Sequence, residues 1–256
     1  LSRVVAAQLG GDLSNIVVSI GDTAAISNGI GTSNSRLTVT AGSSAHLAAI
    51  AVREKLLRVA ADMLEAAETD LEIEGTNVWV RGSDLKVSLG DVTKAVAGMP
   101  GYRLPEGLPP GMEATEMLVI EEETFASGSA VVEVEVDAET GKVKILNYVM
   151  AQDSGRILDR EIAEGQLYGG IAHGIGNALF EWMRYDDDAQ PISATFAEYL
   201  LVTAPEVPSA KLILHETPTP RNPLGVKGIG ETGLMPATSA IISAIEDALS
   251  PFDVHL

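Results

Sequence analysis

The sequence predicts an α+β protein of two mixed α/β lobes with hairpins and long helices, and three features carry that reading. Ala130–Val136 alternates strictly, with Val132, Val134 and Val136 on one face. It turns at Asp137–Gly141 and returns through Lys142–Met150, as a β-hairpin does. Two long stretches, about Ser43 to Glu68 and about Asp159 to Trp182, read as helices. In the first, Leu47, Ile50, Ala51, Leu57, Ala60, Ala61 and Leu64 recur at three- and four-residue spacing. Between them, residues 98–112 hold four prolines and four glycines, which divides the chain into lobes at 1–111 and 112–256. Hairpins mixed irregularly with helices favour α+β over a doubly wound sheet.

In chain order, residues 2–9 form a short helix that Gly10–Gly11 ends, and Asn15–Ile20 reads as a strand closed by Gly21–Asp22. A polar Gly-rich loop, Ser27 to Arg36, runs through Leu37–Thr40 into the first long helix, which Ser43–Ser44 starts. Leu71–Glu74 and Val78–Arg81 flank Gly75–Thr76–Asn77 as a hairpin, and Asp91–Ala97 is a short helix. Beyond the second long helix, Phe196–Leu201 and Lys211–His215 read as strands. Met235–Pro236 opens a last helix to Leu249, with Pro236 suited to its first position. Pro251–Leu256 reads as the beginning of another strand, and with a start that lacks Met this suggests a fragment or one piece of a split polypeptide.

Composition removes several function classes. The net charge is −19, from 36 acids against 17 bases, the opposite of a nucleic-acid footprint. There is no Cys, hence no disulfide framework or iron–sulfur cluster within the chain. His46, His173, His215 and His255 show no metal-ligand spacing; His46 and His173 read as structural, His173 as buried and hydrogen-bonded. No apolar run reaches the length of a membrane span and no signal peptide opens the chain, so a cytoplasmic protein is expected. No nucleophile elbow is present.

Three segments could carry chemistry. Gly225–Val226–Lys227–Gly228–Ile229–Gly230–Glu231–Thr232–Gly233 sets one acid among four glycines, just before a helix N-terminus that favours an anion. Its G-x-x-G-x-G order fits neither the dinucleotide fingerprint nor a P-loop. Gly165–Gln166 to Gly176 puts five glycines into one helix, each costing about 1 kcal/mol against Ala. Close helix packing or close approach of a cofactor would offset that. Thr32–Ser33–Asn34–Ser35–Arg36 offers hydroxyls, backbone N–H groups and a guanidinium that suit a phosphate, or else is an ordinary polar loop.

In this order, with Gly21–Asp22–Thr23 and Gly169–Gly170, the segments resemble the second molybdopterin-binding region of the xanthine dehydrogenase/aldehyde oxidase family. The spelling is closest to the bacterial branch that includes aerobic carbon-monoxide dehydrogenase large subunits. The resemblance implies a molybdenum–molybdopterin cofactor, in bacteria usually the cytosine dinucleotide form. It implies oxidation of an aldehyde, N-heterocycle or similar small substrate with water-derived oxygen. Glu231 matches the family's active-site Glu, which typically deprotonates Mo–OH. Gln166 matches a Gln on the pterin or its phosphates, and Thr32–Arg36 lies where the cofactor's tail is held. Lys227, Gly228 and Gly230 complete the implied cofactor-binding set, the two glycines keeping backbone bulk from the metal. Phe196, Tyr199 and residues 218–224 are candidates to line the approach.

Electrons are implied to leave for iron–sulfur and FAD centres on partner chains or domains, in a hetero-oligomer. The family's Gly-Gln-Gly loop, its preceding cofactor domain and its special Cys loop are absent. The chain is therefore expected to hold half a site, to need the missing N-terminal molybdopterin-binding half, and to be inactive alone. A non-catalytic nucleotide- or anion-binding assembly module is the alternative, and a purely structural acidic domain a further one.

Overall fold

The computed structural model describes residues 1–26, 29 and 31–256. Ser27, Asn28 and Ile30 of the expected polar loop lie outside the described residues. The chain divides into two compact units: residues 1–31 with 37–121, and residues 32–36 with 122–256. Both are mixed α and β, so the α+β class holds.

In the first unit, α1 (Ser2–Leu9) ends at Gly10, whose φ of 64° is left-handed. A Cβ there would lie 2.6 Å from the Ile73 carbonyl oxygen, so only glycine lets α1 turn against the neighbouring strand. A π-helical turn, Thr38–Gly42, leads directly into α2 (Ser43–Leu64). Glu65 in the left-handed region stops α2 short of the expected Glu68. Strands β1 (Leu71–Glu74), β2 (Asn77–Val80) and β3 (Lys86–Ser88) form an antiparallel sheet in that order. The three-residue β3 is too short to show alternation in sequence. Ser88 caps α3 (Leu89–Val96) by accepting the Asp91 N–H. Leu56, Val59 and Ala60 of α2 meet Leu71, Val78, Val87, Val92 and Val96 in one core. The Pro/Gly-rich stretch falls within this unit, with Leu104, Leu108 and Met112 packed on that core.

In the second unit, β4 (Ser127–Val136) and β5 (Val143–Asp153) form the expected hairpin, with a bulge between Glu133 and Val134. The Asp137 carboxylate accepts the N–H groups of Glu139 and Thr140 and so closes the turn. β6 (Ala210–His215) adds parallel to β5 after a crossover that contains α4 (Arg160–Leu179). α5 (Ala237–Leu249) follows the Glu231 loop, and Pro236 occupies its N-cap, one place before the expected position. Leu167, Ile171 and Ile175 of α4 and Ala237, Ile241 and Ile245 of α5 bury Tyr148 and Met150 of β5. Burial pushes the Tyr148 hydroxyl up to about 12.

Three expected strands are absent. Leu13–Asn15 is a 3-10 turn, and residues 16–20 find no partner strand among the described residues, leaving Val17 91% and Ile20 75% exposed. Residues 195–199 form a turn instead of a strand: Glu198 and Tyr199 donate to the Thr195 carbonyl. At the end of the chain, Ser250–Phe252 is a 3-10 turn. In each case apolar residues suggest a strand, but the segment pairs with no other strand among the described residues.

Candidate functional site

The nine-residue glycine loop is clamped along its length within the second unit, and each clamp falls on a different segment. Its start pairs with the end of β5. Lys227 N–H donates to the Ser154 carbonyl at 2.8 Å and Arg156 N–H to the Gly225 carbonyl at 2.9 Å. A Cβ on Gly155 would lie 2.5 Å from that Gly225 oxygen, which accounts for glycine at the crossing. Below it, the Lys227 ammonium sits 2.8 Å from Asp153 Oδ2 and 2.8 Å from Thr217 Oγ1, both ion-pair partners being about 85% covered. Partial burial raises the Asp153 carboxyl. Lys227, the Thr217 hydroxyl and the N–H groups of Gly155 and Thr217 outweigh it and hold the group well below the usual range. The Lys227 ammonium is thus turned inward and anchors the loop.

The middle of the loop meets a segment that lies almost 200 positions earlier. Arg36 N–H bonds the Ser33 carbonyl across Asn34 and Ser35, whose φ values are 54° and 53°. Two successive left-handed residues under such a bond make a type I′ turn. A serine with positive φ is uncommon and requires surroundings that hold it there. Those surroundings are the glycines of the loop. A Cβ on Gly228 would lie 2.9 Å from Ser35 Cβ, and one on Gly230 would lie 3.3 Å from Ser35 Oγ and 3.6 Å from Gln166 Oε1. The space these glycines leave is therefore taken by Ser35 and bordered by Gln166.

Ser35 and Glu231 then hold each other at two points, 196 residues apart in sequence. The Ser35 hydroxyl donates to Glu231 Oε2 at 2.9 Å and accepts the Glu231 N–H at 3.1 Å. The Glu231 carbonyl accepts from Leu234 and Met235, which winds the chain toward α5. The result is an exposed carboxylate on a fixed backbone, with one oxygen already oriented.

The end of the loop and the start of α5 explain two of the five glycines in α4, Gly170 and Gly174. Cβ atoms on Gly170 and Gly233 would strike the other segment's backbone, at 2.6 Å from Leu234 N and 2.5 Å from Leu167 O. One on Gly174 would lie 2.3 Å from Ala237 Cβ. Gly165 and Gly169 differ, being exposed with nothing within 4 Å of a Cβ. They flank Gln166 on the surface of α4, so packing accounts for one set of glycines and leaves the other facing outward. His173, expected to be buried, is exposed on the same helix.

Of the residues singled out from sequence, Ser35, Gln166, Gly228, Gly230 and Glu231 come together. Thr32, Ser33, Asn34 and Arg36 lie on the same turn and are exposed, and Lys227 points away to Asp153. Asp153 and Thr217 were not anticipated; the only local signal was the polar Gln152–Gly155 run closing a strand. A groove between β4 and α5, lined by residues such as Val131, Ala240 and Ser243, holds no titratable side chain. Among the described residues no cluster of His, Asp and Glu suits a metal ion, and no helix is long and apolar enough to cross a membrane.

Comparison with known proteins gives a consistent result. A family profile described as the molybdopterin cofactor-binding domain matches residues 1–208. The nicotine 6-hydroxylase large subunit of Paenarthrobacter nicotinovorans is 38% identical over 98% of this chain and 31% of its own length. The carbon monoxide dehydrogenase large chain of Hydrogenophaga pseudoflava is 32% identical over 100% of this chain and 32% of its own length. The crystal structure of quinoline 2-oxidoreductase from Pseudomonas putida 86 superposes with a TM-score of 0.86 at 33% identity, over 100% of this chain and 32% of that one. The chain thus spans just under a third of these relatives.

Proposed function

Because the chain belongs to the molybdopterin cofactor-binding domain family, we propose that it forms part of the molybdenum subunit of a hydroxylase in which Glu231 is the catalytic base. The single observation that carries this reading is the convergence of Glu231, Ser35 and Gln166 around Gly230. The residues present fit the cofactor. Thr32–Arg36 carries no carboxylate in a chain of net charge −19, and its hydroxyls and guanidinium suit an anionic tail. Gln166 offers a carboxamide beside Gly230, and Gly165 and Gly169 leave helix backbone open to close approach. When bound, the molybdenum centre supplies the oxygen donor and takes two electrons from the substrate.

The chain's own residues supply position and a proton acceptor. Glu231, exposed on the loop with one carboxylate oxygen held by Ser35, would serve as the proton acceptor when the cofactor is bound. Gln166, with Thr32, Ser33, Asn34 and Arg36, would hold the pterin and its tail, the cytosine dinucleotide in this reading. Gly228 and Gly230 act by admitting Ser35, and Lys227 acts by holding the loop to β5. The relatives named for nicotine and quinoline favour an N-heterocycle as substrate over an aldehyde. Iron–sulfur and FAD partners in the cytoplasm receive the electrons, and the remaining cofactor-binding half completes the site.

The reading is tested on the complex purified from its native host. About one molybdenum per complex, with cytidine nucleotide released by acid, is expected. Glu231→Gln should then lower kcat by at least about a hundredfold, since a base acting in the chemical step contributes that much. Unchanged turnover in that variant would leave a non-catalytic anion-binding module as the better description.

A further inference from the structure

We propose that Ser35 is a positioning residue for Glu231, acting on the base and not on the cofactor's tail. The proposal rests on the reading of Glu231 as the base. Sequence places Ser35 with the tail-binding residues, since it stands in the same Thr32–Arg36 run. The geometry separates it from them. Thr32, Ser33, Asn34 and Arg36 are exposed, whereas Ser35 is half-buried against Gly228 and Gly230. Its single hydroxyl does two jobs on one residue: it donates to Glu231 Oε2 and accepts the Glu231 N–H. A hydroxyl has one proton to give, and that proton is on the carboxylate.

The consequence is directional. With Oε2 held by Ser35, Oε1 is the oxygen that receives a proton from the cofactor side. An exposed Glu has three rotatable bonds, and confining it to one orientation raises the fraction of time in which it can react. The backbone is pinned by the second bond, so the carboxylate cannot drift with the loop. The turn also explains why serine is tolerated in the left-handed region at this position: the two bonds offset the strain. The glycines at 228 and 230 are the complementary half of the device, because a Cβ at 228 would strike Ser35 Cβ and one at 230 would crowd its hydroxyl.

Two variants in the full complex decide the matter. Ser35→Ala removes the hydroxyl, and Ser35→Gly removes it while suiting the positive φ better than any other residue. Both should keep molybdenum and nucleotide at the wild-type level, leave KM within about twofold and lower kcat about tenfold. Amide hydrogen exchange at Glu231, read by mass spectrometry, should accelerate in both, independently of turnover. Normal kcat in both variants overturns the proposal. So does a defect in Ser35→Ala that Ser35→Gly lacks, because turn geometry would then be the cause. Loss of molybdenum in either variant returns Ser35 to the tail-binding set. Glu231→Gln serves as the separate control. An active Glu231→Gln complex sinks the functional reading itself, whereas an inactive one beside full-speed Ser35 variants sinks only the assignment to Ser35.

Discussion

Glycine is the residue type on which this molecule turns, and its positions do different things. At Gly174 a methyl group would occupy the place of Ala237 Cβ, 2.3 Å away, where α4 crosses the start of α5. Gly174→Ala should therefore destabilise the second unit by about 1–3 kcal/mol, the usual cost of overpacking. At Gly169 the same methyl meets nothing within 4 Å. Gly169→Ala should stabilise the isolated chain by up to about 1 kcal/mol through helix propensity alone. Urea midpoints of the two variants moving in the same direction would refute this division. The sequence shows five glycines in one helix but not which of them face another segment. That depends on where the Glu231 loop returns, a fact with no local signature.

At the level of elements, local chemistry is readable in advance. The alternation of Ala130–Val136 describes interactions within a few residues, and the structure contains the hairpin it implies. The start of α3 yields a test. Lys94, then the Ser88 hydroxyl and the Tyr102 hydroxyl, bond the Asp91 carboxylate and hold it down to about 2 from an ordinary 3.8. A carboxyl lowered on folding contributes stability above its unfolded value and loses it as pH falls through the folded one. Asp91→Asn should therefore lower the urea midpoint at neutral pH, with the gap to wild type closing between 3.8 and about 2. A gap that persists at the lower limit would mean that packing, not charge, holds the cap. Elements that need a distant partner were less readable: residues 15–20 and 196–201 have the composition of strands but pair with no strand among the described residues.

Across the whole molecule, the formal charge of −19 is the dominant long-range property. Excess like charge opposes compaction. Raising sodium chloride from about 10 to about 150 mM shortens the screening length from about 30 to about 8 Å and should raise Tm. A fall in Tm would show that ion pairs such as Lys227–Asp153 and Arg221–Glu122 outweigh the general repulsion. The sequence alone determined the α+β class, the main helices, the central hairpin and the order of motifs that marks the family. Each depends on short-range periodicity or on residue identity, which a linear chain displays directly. Tertiary structure alone decided that Ser35 holds Glu231, that Lys227 serves Asp153, and that Gly228 and Gly230 make room for a serine. Those pairings join residues up to 196 positions apart. They are selected by the paths of the intervening chain and by which buried or crowded groups must find partners there, and no local pattern encodes either.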